Sequence, residues 1–155
     1  MDVSIRHTLA TFSYRLGKVL RDTPPEFRDF GSPDNARTPG RILAHINDLM
    51  DWALSLVEGQ QRWHNSEPLS WNDEIDRFYK AIEALDQHIA AHGLGMASSE
   101  RLFSGPIADA LTHTGQLAML RRMAGIPMRG ENYFVADISA GRVGREQSSP
   151  KRQFD

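Results

Sequence analysis

The sequence predicts an all-α protein, and within that class a four-helix bundle. Two observations lead there, and a third gives the scale. Four segments carry apolar residues three and four positions apart, the spacing that lines one face of an α-helix. No convincing pair of strands accompanies them. At 155 residues the chain suits one domain with a substantial core, and four amphipathic helices bury their stripes most simply against one another.

The first helix spans about Val3 to Leu20, with Ile5, Leu9, Phe12, Leu16, Val19 and Leu20 on one face. The second is TPGRILAHINDLMDWALSLVEG, where Thr38 can serve as N-cap, Pro39 suits the first helical position and Gly59 can close the end. The third is SWNDEIDRFYKAIEALDQHIAAHG, opened by Ser70 with Asp73 in a weak capping box and closed by Gly93. The fourth, GPIADALTHTGQLAML, is entered through Ser104-Gly105-Pro106 and stopped by Gly125 and Pro127. Between the first two helices, Arg21 to Ala36 is long and rich in Pro and Asp, long enough to cross a bundle. Residues Leu94 to Phe103 form a medium loop. The division is therefore a bundle over 1–127 and a C-terminal extension over 128–155, read as a strap packed on the bundle or a partly disordered tail. Asn132 to Ile138 are a candidate short helix, and Tyr133, Phe134, Val135 and Phe154 are the candidate anchors.

Composition excludes several classes. Hydrophobic residues make up 40% and charged residues 25%, with a formal net charge of -2. No bulk positive field favours nucleic acid or an anionic membrane. No apolar run approaches the roughly 18 residues of a membrane span. The start, MDVSIRHTLATF, lacks a basic region followed by an apolar block, so the expectation is a cytoplasmic protein without a signal peptide. There are no cysteines, which excludes disulfides, thiolate metal sites and a cysteine nucleophile.

Six histidines remain to be sorted. Each residue turns a helix by about 100°, so each His can be set against its own apolar stripe. His45 shares a face with Ile42, Leu49, Trp52 and Leu56, and Asp48 lies to its side. His113 sits among Ala110, Leu117 and Leu120. Asp109 is four residues earlier and stacks one turn away on the same face, with Gln116 continuing the strip. A lone buried carboxylate needs a cationic partner, whether metal, His or Arg. His88 and His92 have equally suitable spacing for a metal, but they fall at or outside the edge of the apolar face formed by Ile75, Phe78, Ile82, Leu85 and Ile89. A role at the helix C-terminus suits them better. His7 and His64 read as solvent-side residues. Periodicity alone leaves two readings of His45, Asp109 and His113: a common metal, or separate polar groups satisfied locally.

The order of these features resembles the DinB-like (DinB/YfiT-type) superfamily of metal-binding four-helix bundles. HINDLMDW carries a His near the start of helix two, and DALTHTGQLAMLRRMAG follows near the end of the bundle. Family members show a His on helix two and a His-x-x-x-His pair ending in HRGQ on helix four. Here His113-Thr114-Gly115-Gln116 matches with Thr for Arg, and the earlier His of the pair falls on Asp109. The resemblance covers Val3 to Gly125. It implies an up-down-down-up bundle, a homodimer, and a metal site made of His45, Asp109 and His113. The ion would be one divalent transition metal: Zn, Ni, Fe or Mn. Asp in place of His gives two histidines and one carboxylate with open positions. It also lowers the site charge by one, which favours a harder metal or a less electrophilic bound water. Either Asp109 is the third ligand, or it makes a structural bond at a lost site.

The resemblance further implies a metal-dependent enzyme acting on a small molecule, a thiol-dependent S-transferase or a hydrolase, with a low-molecular-weight thiol as possible cosubstrate. The metal would lower the pKa of a bound water or thiol. Asp48 or Gln116 are candidates to orient a ligand. Tyr79 and Asp86 are candidates to border the pocket, Asp86 as a candidate fourth metal ligand or alternatively as an edge carboxylate paired with a basic residue. The alternative function is a non-catalytic bundle that binds a metal, ligand or partner. There Trp52 reads as core, and exposure of Trp63 and Trp71 around the loop between helices two and three would indicate a dimer contact. The basic residues Arg121 and Arg122 lie among acids and read as a solvated surface, so nucleic acid is not an expected partner.

Overall fold

A computed structural model describes residues 3–31, 34 and 37–155, with backbone alone at 3 and 4. The chain is mostly helical. Helix α1 spans Val3–Leu20, α2 Pro39–Val57 and α3 Trp71–His92. A short α4, Ser99–Leu102, runs through a widened π turn, Phe103–Ile107, into α5, Ala108–Met123. The long first connection includes residues outside the described set, and its described part holds a 3-10 turn, Pro25–Asp29.

Local signals set the ends of α2 and α3. The Thr38 hydroxyl accepts from the Arg41 N–H, and Ser70 accepts from the Asp73 N–H, each relieving an orphan donor of the first turn. Gly59 and Gly93 both carry positive φ just past the last turns. The start of the last helix differs from expectation. It does not begin at Ser104-Gly105-Pro106. Ser98 caps it earlier, accepting from the Arg101 N–H at 3.1 Å. Pro106 then lies inside the helical run. A proline there offers no N–H to the ladder, and the turn widens rather than ends.

Helix α2 packs against α3 and α5, and α1 packs against the same two. The core between them includes Phe12 and Phe78, edge to face at 5.5 Å, with Leu16, Ile46 and Ile82 fully buried. Trp71, expected as a residue flanking an open loop, is only 1% exposed. The 3-10 turn folds over it: Phe27 meets its ring edge on at 5.3 Å, and its indole N–H donates to Thr23 Oγ1 at 2.8 Å. Arg121, read as a solvated surface residue, is also buried. Its Nη1 donates to the carbonyls of Lys18, Val19 and Arg21, closing the C-terminus of α1.

The C-terminal residues lie along α1. A two-residue pair, β1 (Gly130–Glu131) with β2 (Gln153–Phe154), is antiparallel, a small sheet where no strand pair was expected. Asn132 to Ile138 contain only a 3-10 turn, Tyr133–Val135. Of the expected anchors, Tyr133 is half-buried against Tyr14, its ring edge on at 6.0 Å, and the other three are not buried. Phe134 is 96% exposed, and Val135 and Phe154 are also exposed. Buried Val143 packs on the core instead, and its carbonyl accepts from Ser13 Oγ at 2.6 Å. Among the described residues, no helix is long and apolar enough to cross a membrane.

The turn after α3 approaches α2 closely. Gly95 has φ of 59°, and a Cβ there would stand 2.9 Å from the Val57 carbonyl oxygen. Gly95→Ala therefore combines a left-handed backbone with a backbone clash. The expected cost is about 1–2 kcal/mol in urea denaturation. Unchanged stability would contradict this packing.

Candidate metal centre

Because α2 packs on α5, a side chain one turn into α2 faces the first turns of α5. Three ligand-type side chains meet there. His45 Nε2 lies 3.2 Å from Asp109 Oδ2, and His113 Nε2 lies 3.4 Å from Asp109 Oδ1. The two imidazoles stand nearly perpendicular, centroids 4.7 Å apart. One potential ligand atom from each residue falls within 4.8 Å of the others. The i, i+4 spacing on α5 stacks Asp109 and His113, and the helix packing supplies His45.

The triad is not a buried one. The Asp109 side chain is 47% exposed, against 21% for His45 and 12% for His113. The expectation of a lone buried carboxylate is thus corrected: Asp109 sits at the rim of an open cavity of about 610 Å³, walled by Ile42, Met119 and Leu120, with Arg37 and Gln116 at its edge. Gln116 Oε1 is 2.7 Å from His113 Nδ1. Gln116 can accept from Nδ1–H there, and Nε2 is the ring nitrogen turned toward Asp109. Trp63 covers the other side of His45, ring edge on at 5.8 Å, and also meets Trp52 at 5.9 Å. Trp52 is half-buried and packs at the border of the core rather than inside it.

Other candidates are held elsewhere. Asp48 does not reach the triad. It accepts from the Ser66 N–H at 2.8 Å, from Ser66 Oγ at 2.7 Å and from Arg77 at 2.6 Å. His64 is exposed, as expected of a solvent-side residue, and reaches Asp48 and Asp51 at 3.0 and 3.1 Å. Asp48, Asp51 and His64 also have metal-ligand spacing, but the Arg77 guanidinium already stands between both carboxylates and supplies the positive charge. Burial alone would raise the Asp48 pKa; the bonds from Arg77 and Ser66 overcome it and hold the carboxyl below its ordinary range. Asp86 forms a two-pronged ion pair with Arg6 at 2.9 Å, the edge-carboxylate alternative. Tyr79 faces the C-terminal segment, under the Arg145 guanidinium at 4.6 Å. His88 and His92 pack on each other at the end of α3, and among the described residues no third ligand-type group completes a metal-ligand cluster with them.

Sequence reasoning missed Trp63 against His45 and the Asp48–Ser66–Arg77 network. Trp63 and Ser66 come from the loop between α2 and α3 folding back on α2, and Arg77 from α3 packed against α2; spacing within one helix carries no signal for either.

The arrangement defines a helical protein with an open His–Asp–His cluster at a helix–helix junction. No protein-family model, curated protein or solved structure matches the chain.

Proposed function

We propose that His45, Asp109 and His113 hold one divalent transition metal, and that the chain is a metal-dependent transferase or hydrolase built as a DinB-like four-helix bundle. The observation that carries this reading is that one ligand atom from each of the three side chains lies within 4.8 Å of the other two. The donor set fits a borderline metal such as Zn, Ni, Fe or Mn. When bound, such an ion supplies Lewis acidity, which brings the pKa of water or a small thiol toward neutrality. The chain's own residues do the rest. Gln116 fixes the His113 tautomer, Trp63 orients the His45 ring and shields it from water on one side, and the half-exposed Asp109 leaves the approach from the cavity open. The contacts of α1 and α2 with the same two partner helices support the bundle. The resemblance adds a homodimer, a small-molecule substrate, a possible thiol cosubstrate and a cytoplasmic location.

A second reading has its own support. Asp109 lies within reach of both imidazoles, so the three can satisfy one another without metal. The protein would then be a non-catalytic bundle that binds a ligand or partner.

Metal analysis separates the two. Under the first reading the purified protein takes up one equivalent of Zn, Ni, Mn or Fe(II). Metal at a thousandfold excess over its dissociation constant then adds about 4 kcal/mol to the unfolding free energy. Asp109→Ala and His113→Ala each weaken binding by more than about 100-fold, and Gln116→Ala by about 10- to 100-fold, as for a group that orients a ligand. His88→Ala leaves it unchanged. No uptake and no shift in melting temperature would overturn the first reading.

A further inference from the structure

The cavity beside the triad carries a cation that the triad does not use. Arg37 lies just before the Thr38 cap of α2 and lines the same cavity as His45, Asp109 and His113. It is exposed, and no carboxylate among the described residues pairs with it. Gln116 lines the same cavity, with its carbonyl oxygen engaged by His113 Nδ1. Ile42, Leu120 and Met119 supply the apolar part of the lining, Met119 being 64% exposed. Asp109 is the one acid in this lining.

The charges add up in one direction. A divalent ion held by two neutral imidazoles and one carboxylate keeps a net positive charge, and Arg37 adds another. A guanidinium presents several N–H donors in a planar fork that matches carboxylate and phosphate oxygens. The volume, about 610 Å³, falls in the range of small-molecule sites, whose walls are mostly apolar with a few placed polar groups.

We propose that this cavity takes a small organic anion, a carboxylate or phosphate ester with a short apolar body. Its charged end pairs with Arg37, its body lies on Ile42, Met119 and Leu120, and its reacting end meets the His45–Asp109–His113 centre. Arg37 is then the residue that selects the charge of the substrate. This inference rests on the metal reading above, and its test keeps the two apart.

Cobalt-loaded protein is titrated with 4-phenylbutyrate and, separately, with its neutral amide, followed by the cobalt absorption spectrum and by calorimetry. The wild type is expected to bind the anion about two- to fivefold more tightly than the amide, the range of a partly exposed charge pair. Arg37→Gln removes this preference, leaving cobalt stoichiometry and amide affinity as they were. Arg37→Lys keeps most of it. Arg37 is exposed at a helix entrance, so neither variant threatens the fold. A preference that persists in Arg37→Gln overturns the proposal, as does a cobalt-loaded wild type that shows no preference or binds neither probe. Protein that takes up no cobalt overturns the metal reading and this one with it. Cobalt uptake thus reports on the centre, and dependence on Arg37 reports on the substrate.

Discussion

Arg77→Ala lowers the unfolding free energy by about 3–5 kcal/mol, the cost of leaving a buried carboxylate without its cation. Asp48 is 3% exposed, and Arg77 reaches both Asp48 and Asp51, with Glu74 close by. Removing the guanidinium leaves acids together at low local dielectric, with Ser66 and His64 to answer Asp48 and Asp51, and Asn47 and the Leu69 N–H to answer Glu74. The pH dependence changes sign as well. In the wild type Asp48 is held below the usual carboxylate range. Its contribution is therefore complete above the unfolded pKa of about 3.9, and is lost as pH falls through the lower folded value. In Arg77→Ala burial dominates and the Asp48 pKa rises above that of the unfolded chain. Its ionised form then costs stability at neutral pH, and acidification restores part of the loss. Urea denaturation of both proteins at about pH 7 and about pH 5 reads this directly. Adding Asp48→Asn to Arg77→Ala should recover part of the loss, because the uncompensated charge is gone. A loss under about 1 kcal/mol for Arg77→Ala would mean that the ion pair is screened and structurally idle.

This network also holds the loop that carries Trp63. Ser66 is tied to Asp48, and Ser55 Oγ binds the Arg62 N–H at 3.1 Å, so the loop is pinned on both sides of Trp63. The Arg77→Ala variant should therefore disturb the environment of His45 through Trp63, with a change in tryptophan fluorescence accompanying the loss of stability.

How much of this was legible depends on whether the cause is local. The three long helices follow from apolar spacing, and Thr38, Ser70 and Gly59 mark ends because capping needs only neighbours in sequence. The faces of His45 and His113 follow from rotation about each helix axis. Their approach across α2 and α5 depends on packing, and so does the exposure of Asp109, which stands at a rim that a helical wheel cannot distinguish from a core. Pro106 misled for a related reason: the rule that proline starts a helix is local, whereas the π turn that lets the helix continue is sustained by its surroundings. Trp71, at the start of the third helix beside the loop, is buried because the first connection folds over it, which spacing within that helix does not show. The C-terminal segment was the least legible part. Its aromatic residues suggested apolar anchoring, but its deepest attachment is a charge pair between residues far apart in sequence.

That attachment carries the second large effect: Glu131→Ala should cost about 3–5 kcal/mol and release the C-terminal segment. The Glu131 side chain is fully buried and accepts from Lys18 Nζ at 2.8 Å and from the Tyr14 hydroxyl. Lys18 itself is 9% exposed and also reaches Gln153 Oε1 at 3.3 Å, so one ammonium joins both strands of the small sheet to α1. Without Glu131 the ammonium is left in a site chosen for a carboxylate, and the Tyr14 hydroxyl loses its acceptor. The nearby contacts, Arg15 over the Tyr133 ring at 4.0 Å and Tyr133 edge on to Tyr14, lie closer to solvent and do not replace a buried ion pair. Limited proteolysis should then cut within 128–155 sooner than in the wild type, in parallel with the loss seen in urea. The Tyr14 phenol gives an independent reading. Burial, and after it the hydrogen bond and charge of Glu131, push its pKa above the ordinary range. Glu131→Gln keeps the shape and removes the charge, so the alkaline absorbance titration of Tyr14 should move to lower pH while burial still holds it above an exposed tyrosine. Unaltered cleavage and an unmoved titration would together show that the segment is held by Val143 and its neighbours, and that the charged cluster is incidental to it.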